Sequence, residues 1–168
     1  MIKAKKSLGQ NFLIDNNVID KITNILNINN KTILEIGPGT GNLTTALLDR
    51  KPKKFYVVEK DNNLSELLKK KFNDRIIIIN DDILSLNENL ISKEKLIVFG
   101  NLPYNISTEI LIKWILNLDN EKFWFENLIL MFQKEVANRI ISDYNCSDYG
   151  RLSILANWKL NIKKIMDV

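Results

Sequence analysis

The chain has 168 residues, 45% hydrophobic and 26% charged, the balance of a single globular domain with a real core. Lys and Arg outnumber Asp and Glu by 24 to 20, a formal +4 that permits an anionic polymer as partner without requiring one. No histidine and a single cysteine exclude His-based triads, an internal disulfide and Cys-x-x-Cys metal sites, and no apolar run reaches the roughly 18 residues of a membrane span.

The opening MIKAKKSLGQNFL is basic but has neither a long apolar segment nor a small-residue cleavage site, so no secretory signal is read and a cytoplasmic location is expected. Asp15-Asn16-Asn17 can cap a helix whose apolar face carries Val18, Ile22, Ile25 and Leu26. Thr32–Ile36 reads as a strand ending at a glycine cluster, residues 37–41, and Asn42–Arg50 as a helix. Phe55–Val58 is a second strand, closed by Glu59. Leu64–Phe72 is a helix whose lysine-rich tail suits a helix C-terminus. Arg75–Ile79 and Leu96–Phe99 are the third and fourth strands. Thr108–Leu118 is a helix with Ile110, Leu111, Trp114, Ile115 and Leu118 on one face. Leu128–Phe132 is a strand, Gln133–Ser142 and Tyr149–Trp158 are helices, and Lys159–Val168 is expected to start a last strand. Lysines gather at Lys3-Lys5-Lys6, Lys51-Lys53-Lys54, Lys69-Lys70-Lys71 and Lys163-Lys164, the middle two groups reading as solvated turns and helix ends. Cys146, in a polar stretch, reads as a bystander.

Strands alternate with helices, and each strand is a continuous apolar run rather than an alternating one. That pattern belongs to a buried, mostly parallel sheet with helices on both faces. Ligands of such folds sit beyond the C-terminal ends of the strands, so the residues that follow each strand carry the functional information.

After the first strand, Gly37, Gly39 and Gly41 allow a tight turn and close backbone approach to a ligand. Their order is G-x-G-x-G, not the G-x-G-x-x-G of dinucleotide sites, and alone it is a weak signal. After the second strand, Glu59 lies where an acid can accept hydrogen bonds from the ribose hydroxyls of an adenosine-containing cofactor. After the third, Asp82 can accept from an adenine amino group. Asp81 can serve instead, and Ile83 can pack on a ring face. After the fourth comes Asn101-Leu102-Pro103-Tyr104. An amide acceptor, a proline-stiffened turn and an aromatic ring suit a flat heterocycle bearing an amino group. The ring stacks on Tyr104, while the Asn101 side-chain oxygen and a backbone carbonyl accept the amino protons. No general base is evident, and an amine that has accepted a methyl group loses its proton readily, so catalysis would rest on orientation.

Six stretches, "KKSLGQNFL", "LEIGPGTGNLT", "VVEKD", "NLPYNIST", "QKEVANRI" and "YGRLS", resemble the ribosomal RNA adenine dimethyltransferases in order and spacing. The resemblance covers nearly the whole chain. It implies a Rossmann-like S-adenosylmethionine-dependent methyltransferase domain that dimethylates the N6 of adenines in small-subunit rRNA. It further implies that Gln10, Asn11 and Leu13 close over the cofactor. Gly37 and Gly39 would meet its amino-acid end, Glu59 its ribose, and Asp82 with Ile83 its adenine. Asn101 would lie near the methyl donor and the target nitrogen, and Leu102, Pro103 and Tyr104 would shape the target site. Small-subunit rRNA or its pre-ribosomal particle is the implied partner, with no metal, no membrane and a monomeric protein.

The erythromycin-resistance methyltransferases of large-subunit rRNA share the QNFL and NxPY elements but usually carry isoleucine at the position of Leu102. Mitochondrial transcription factors of the same lineage are a second alternative, and an adenosine-cofactor oxidoreductase a third that explains neither Tyr104 nor the QNFL arm. Members of the resembled family continue with a further sheet segment and a small helical domain, so residues 1–168 read as a truncated catalytic domain.

Overall fold

A computed structural model describes residues 9–118 and 123–167. The Lys3-Lys5-Lys6 cluster and the start of the KKSLGQNFL stretch lie outside these residues. Five strands form one parallel sheet: β1 (Thr32–Ile36), β2 (Lys54–Val58), β3 (Ile77–Ile79), β4 (Leu96–Asn101) and β5 (Phe125–Met131), in the order β3-β2-β1-β4-β5. The helices are α1 (Asn16–Thr23), α2 (Asn42–Asp49), α3 (Asn62–Phe72), α4 (Ser107–Leu116), α5 (Lys134–Ile141) and α6 (Arg151–Lys159).

Because successive strand residues point to opposite faces, the apolar runs feed two cores. Ile33, Phe55, Val57, Ile97 and Phe99 meet Ile19 and Ile22 of α1, Leu43 and Leu47 of α2, and Leu68 and Phe72 of α3. On the other face Leu34, Ile36, Val58, Leu96 and Val98 meet Ile110 and Trp114 of α4. A third cluster, Leu111, Ile115, Ile140 and Ala156, joins α4 to α5 and α6. Both faces of the sheet are covered, which is why its strands are apolar throughout.

Local chemistry moves several boundaries. The Asp15 carboxylate accepts the N–H groups of Asn17 and Val18, as a cap should, but α1 stops at Thr23 rather than continuing to Leu26. Asn24 donates both its backbone N–H and its side-chain amide to the Asp20 carbonyl, turning the chain out of the helix. The third strand starts two residues later than its apolar pattern suggests, since Asn73 takes φ 48° and residues Asn73–Arg75 wind into a 3₁₀ turn. The strand expected at Lys159–Val168 does not form among the described residues. Lys159 closes α6, and Leu160 and Ile162 pack against the α4–α6 cluster instead of pairing with a neighbour.

The turn between β1 and α2 is built tightly. Gly41 has φ 78°, and an added Cβ would stand 2.6 Å from the Phe72 ring. Gly41→Ala should therefore combine left-handed backbone strain with overpacking, together about 2–4 kcal/mol of lost stability. Urea unfolding monitored by circular dichroism checks this, and an unchanged midpoint would contradict the packing described.

Candidate functional site

The strand order creates the site. From β1 the chain moves outward through β2 to β3, then returns to place β4 and β5 on the other side. Loops leaving β1 and β4 diverge, and a crevice opens beyond their C-terminal ends. It has a volume of about 140 Å³ and is bounded by Gly37 and Gly39 after β1, Glu59 after β2, Asp82 and Ile83 after β3, and Asn101 and Pro103 at the end of β4. The arm residues Gln10 and Asn11 also line it. Of the residues singled out in the sequence, Leu13, Gly41, Leu102 and Tyr104 are not in its lining. Leu13 packs on the first core, and its carbonyl accepts from the Asn42 side chain at 2.9 Å. Leu102 is buried in the second core. Tyr104 is half-buried and reaches the arm, its hydroxyl accepting from the Asn11 side-chain amide at 3.0 Å.

Glu59 is buried, and its carboxylate accepts backbone N–H groups of Asp61, at 2.9 Å, and of Gly39 and Lys60. Burial raises its pKa against those hydrogen bonds. The bond from Gly39 ties the acid after β2 to the turn after β1. Asp82 is held below the ordinary carboxylate range, chiefly by the Lys60 ammonium 2.6 Å away. Its other oxygen accepts the Leu84 N–H at 3.0 Å. Asp81 also lines the crevice, but it is exposed and its carboxylate is engaged by the Asp82 N–H and the Ser85 hydroxyl. Asn101 donates from Nδ2 to the Asn11 carbonyl at 2.6 Å. That bond sets the rotation of the amide and leaves Oδ1 to act as an acceptor.

Several participants were not singled out from the sequence. Phe12 lines the crevice, and its ring lies 2.7 Å from where a Gly39 Cβ would stand, so glycine is required there for packing as well as for φ 58°. Lys71, at the end of α3, donates to the carbonyls of Thr40 and Gly41 at 3.1 and 3.3 Å and ties down the far end of the turn. Glu35 of β1, 1% exposed, accepts the Thr44 hydroxyl at 2.7 Å and so links β1 to α2 beneath the turn. A carboxylic acid inside an apolar strand is the sequence signal that could have pointed to it.

Sheet, strand order and crevice define the Rossmann-like methyltransferase fold. Comparison with known proteins narrows this. The family description "Ribosomal RNA adenine dimethylase" matches residues 1–168. A ribosomal RNA small subunit methyltransferase A of Pelagibacter ubique is 68% identical over 99% of this chain and 63% of its own length. Its counterpart in Mycoplasmopsis synoviae is 44% identical over 95% of this chain and 60% of its own. Among solved structures, a dimethyladenosine transferase from Plasmodium falciparum superposes with a TM-score of 0.74 at 29% identity, covering 88% of this chain and 52% of that one. The 23S rRNA methyltransferase ErmE gives 0.67 at 29% identity, covering 87% and 55%. The chain belongs to the ribosomal RNA adenine dimethylase family. It spans 63% and 60% of the two curated relatives' lengths.

Glu35 makes the base of the site pH-sensitive. Burial, first of all, pushes its pKa from 4.5 up to about 8, with the nearby Glu59 adding to the rise. A carboxyl group that holds its proton more tightly when folded contributes most stability below its unfolded pKa and loses it as pH rises toward the folded value. Stability should thus fall between about pH 4.5 and 8, with Glu59 acting in the same direction. Glu35→Gln keeps an acceptor for Thr44 but carries no proton to lose. Urea midpoints across pH 5–8 should slope downward in the native protein and more shallowly in Glu35→Gln. Parallel slopes would mean that Glu35 ionises no differently when folded.

Proposed function

We propose that residues 1–168 form a catalytic domain that transfers methyl groups from S-adenosylmethionine to the N6 of adenines in small-subunit ribosomal RNA, acting as a cytoplasmic monomer. The observation that carries this reading is the convergence of Gly37, Glu59, Asp82 and Asn101, one from the end of each of four adjacent parallel strands, on one crevice. The relatives named as small-subunit methyltransferases supply the choice of substrate.

The chemistry of the lining fits the cofactor. Gly37 has φ 67°, and an added Cβ would stand 3.0 Å from the Asn101 carbonyl, so the backbone here leaves room only while the residue is glycine. Glu59 presents a carboxylate to a ribose, and Asp82 with Ile83 an acceptor and an apolar face to an adenine. Gly9 to Phe12 border the crevice, so the arm stands where it can close over the cofactor. Salt-bridged Lys60 is exposed and can yield Asp82 to an adenine amino group at little cost.

When bound, the cofactor supplies an activated methyl group on a sulfonium centre. The chain's own residues supply placement. Asn101 Oδ1 and a backbone carbonyl accept the two amino protons of the target adenine, directing the nitrogen lone pair toward the methyl donor. Tyr104 offers a ring on which the extruded base can stack. No general base is required of the lining, because the methylated amine is acidic enough to release its proton to solvent. Orientation is then the main source of rate.

Two measurements test the assignments. Glu59→Ala loses its bonds to the ribose, at a cost of about 1–3 kcal/mol, roughly ten- to a hundredfold in S-adenosylmethionine affinity by calorimetry. Unchanged affinity would remove the ribose role. In methyl-transfer assays on small ribosomal particles with labelled cofactor, Tyr104→Phe should keep most activity, while Tyr104→Ala loses stacking worth about 1–3 kcal/mol. Equal loss in both variants would assign the function to the hydroxyl, and preferential labelling of large-subunit RNA would redirect the substrate assignment.

A further inference from the structure

A partly buried charged hub stands behind the crevice, and neither the family motifs nor the mechanism above uses it. Lys113, on α4, donates from Nζ to the Ile83 carbonyl at 2.8 Å, to the Leu86 carbonyl, and to Glu88 Oε1 at 2.7 Å. The same Glu88 oxygen accepts the Trp114 indole N–H at 2.7 Å. The Glu88 side chain is 5% exposed and that of Lys113 19%. Charges this far from water persist only when paired and fully hydrogen-bonded. Three acceptors here meet the three N–H groups of one ammonium, which locks its rotamer.

The hub's position gives it a role. The segment after β3 carries Asp82, Ile83 and Leu84, all of which line the crevice. It belongs to no strand and is folded on itself by bonds from Ser85 and Leu86 N–H to the Asp82 carbonyl. Those local bonds give the segment a shape but do not fix its distance from the opposite wall. Lys113 does, by holding its carbonyls to α4. That helix follows directly on Asn101, Pro103 and Ile106, which form the facing wall. Buried Ile83 packs into the same core as Ile110 and Trp114 of α4.

We propose that Lys113 and Glu88 are a positioning pair for the adenine side of the crevice: they set the separation of Asp82–Leu84 from Asn101–Ile106 and thereby the affinity for the adenosine end of the cofactor. This rests on the cofactor reading given above. Neither residue touches the reacting atoms, so the pair acts on cofactor binding and leaves turnover at saturation alone.

The test is calorimetry with S-adenosylhomocysteine and with 5′-methylthioadenosine, which lacks the amino-acid end, combined with kcat and KM for S-adenosylmethionine. Lys113→Met strands two carbonyls and a carboxylate and should weaken both ligands by the same factor, about tenfold. KM should rise correspondingly while kcat stays within about twofold, the pattern of lost uniform binding. Glu88→Gln keeps an oxygen for Lys113 and Trp114 and should lie between the two proteins. Lys53→Met, which breaks an exposed ion pair with Glu94 away from the crevice, should match the native protein. Native affinity for both ligands in folded Lys113→Met, a loss confined to S-adenosylhomocysteine, or a fall in kcat at unchanged KM would each overturn the proposal. If Lys113→Met does not fold, native affinity in folded Glu88→Gln overturns it equally. Failure of the native protein to bind either ligand would instead sink the cofactor reading, and the inference with it.

Discussion

The architecture depends on one topological constraint: β1 lies at the centre of the sheet, and the chain leaves it toward β2 and returns after β3 to place β4 on its other side. Parallel strands need crossover connections, and crossovers that depart in opposite directions cannot both cover the ground beyond the ends of β1 and β4. The gap between them is the crevice. Everything functional follows from lying at a strand's end next to that gap. Glu59 is paired through its backbone N–H with the Ile79 carbonyl of β3, just as Gly37 is paired with the Val58 carbonyl of β2. The Gly37 and Glu59 side of the crevice therefore inherits the register of the sheet.

Burial sharpens this frame by requiring partners for the buried carboxyl groups near the crevice. Glu35 takes the Thr44 hydroxyl, Glu59 takes backbone N–H groups, and Glu88 takes Lys113 and Trp114. Each of these bonds joins different elements, or a strand end to the turn beside it. Apolar packing, which is not directional, brings α2, α3 and α4 onto the sheet. The buried polar bonds then fix where each element stops relative to its neighbour, because a displaced partner leaves an unsatisfied group in a dry interior.

Much of this was legible in the sequence, and the limit has a physical form. Continuous apolar runs identified β1, β2 and β4, and the residues at their ends that the sequence singled out, Gly37, Glu59 and Asn101, do line the crevice. In those cases the place of a residue depends on its own strand. Contacts made at long range were not legible. Asn11 meets Tyr104 across 93 positions, and Lys113 meets Ile83 across 30. In the sequence Lys113 is one polar residue on an amphipathic helix, and only the approach of another segment shows that its charge is buried. Leu102 shows the converse. Its place inside the NLPY motif suggested a wall of the site, but residues alternate in direction along β4 and beyond, and its side chain went to the core. The absent last strand is a third case. An apolar pattern from Leu160 to Met166 states a need for burial, and helices met that need where no strand edge did.

The two walls of the crevice obtain their rigidity by different means, and this bears on how a site without a general base can work. The wall after β1 and β2 is built from backbone: glycines at positive φ, a turn held by Lys71 from α3, and a carboxylate bound to main-chain N–H groups. It tolerates little change, since a single Cβ at Gly39 would collide with Phe12. Asp82–Leu84 and the Asn101–Ile106 face opposite it are instead held by side chains, through Lys113 and Glu88 on one side and the Asn11–Asn101 and Asn11–Tyr104 bonds on the other. If rate comes from holding an amine and a methyl donor at a fixed distance, a misplacement of an ångström is expensive. In the proposed mechanism that distance falls to the bonds around Asn101, while Lys113 and Glu88 bear on how tightly the adenosine end of the cofactor is held. Asn11 is exposed and Lys113 is not. The tie at the reacting end thus lies at the surface, and the tie at the adenosine end lies largely out of water.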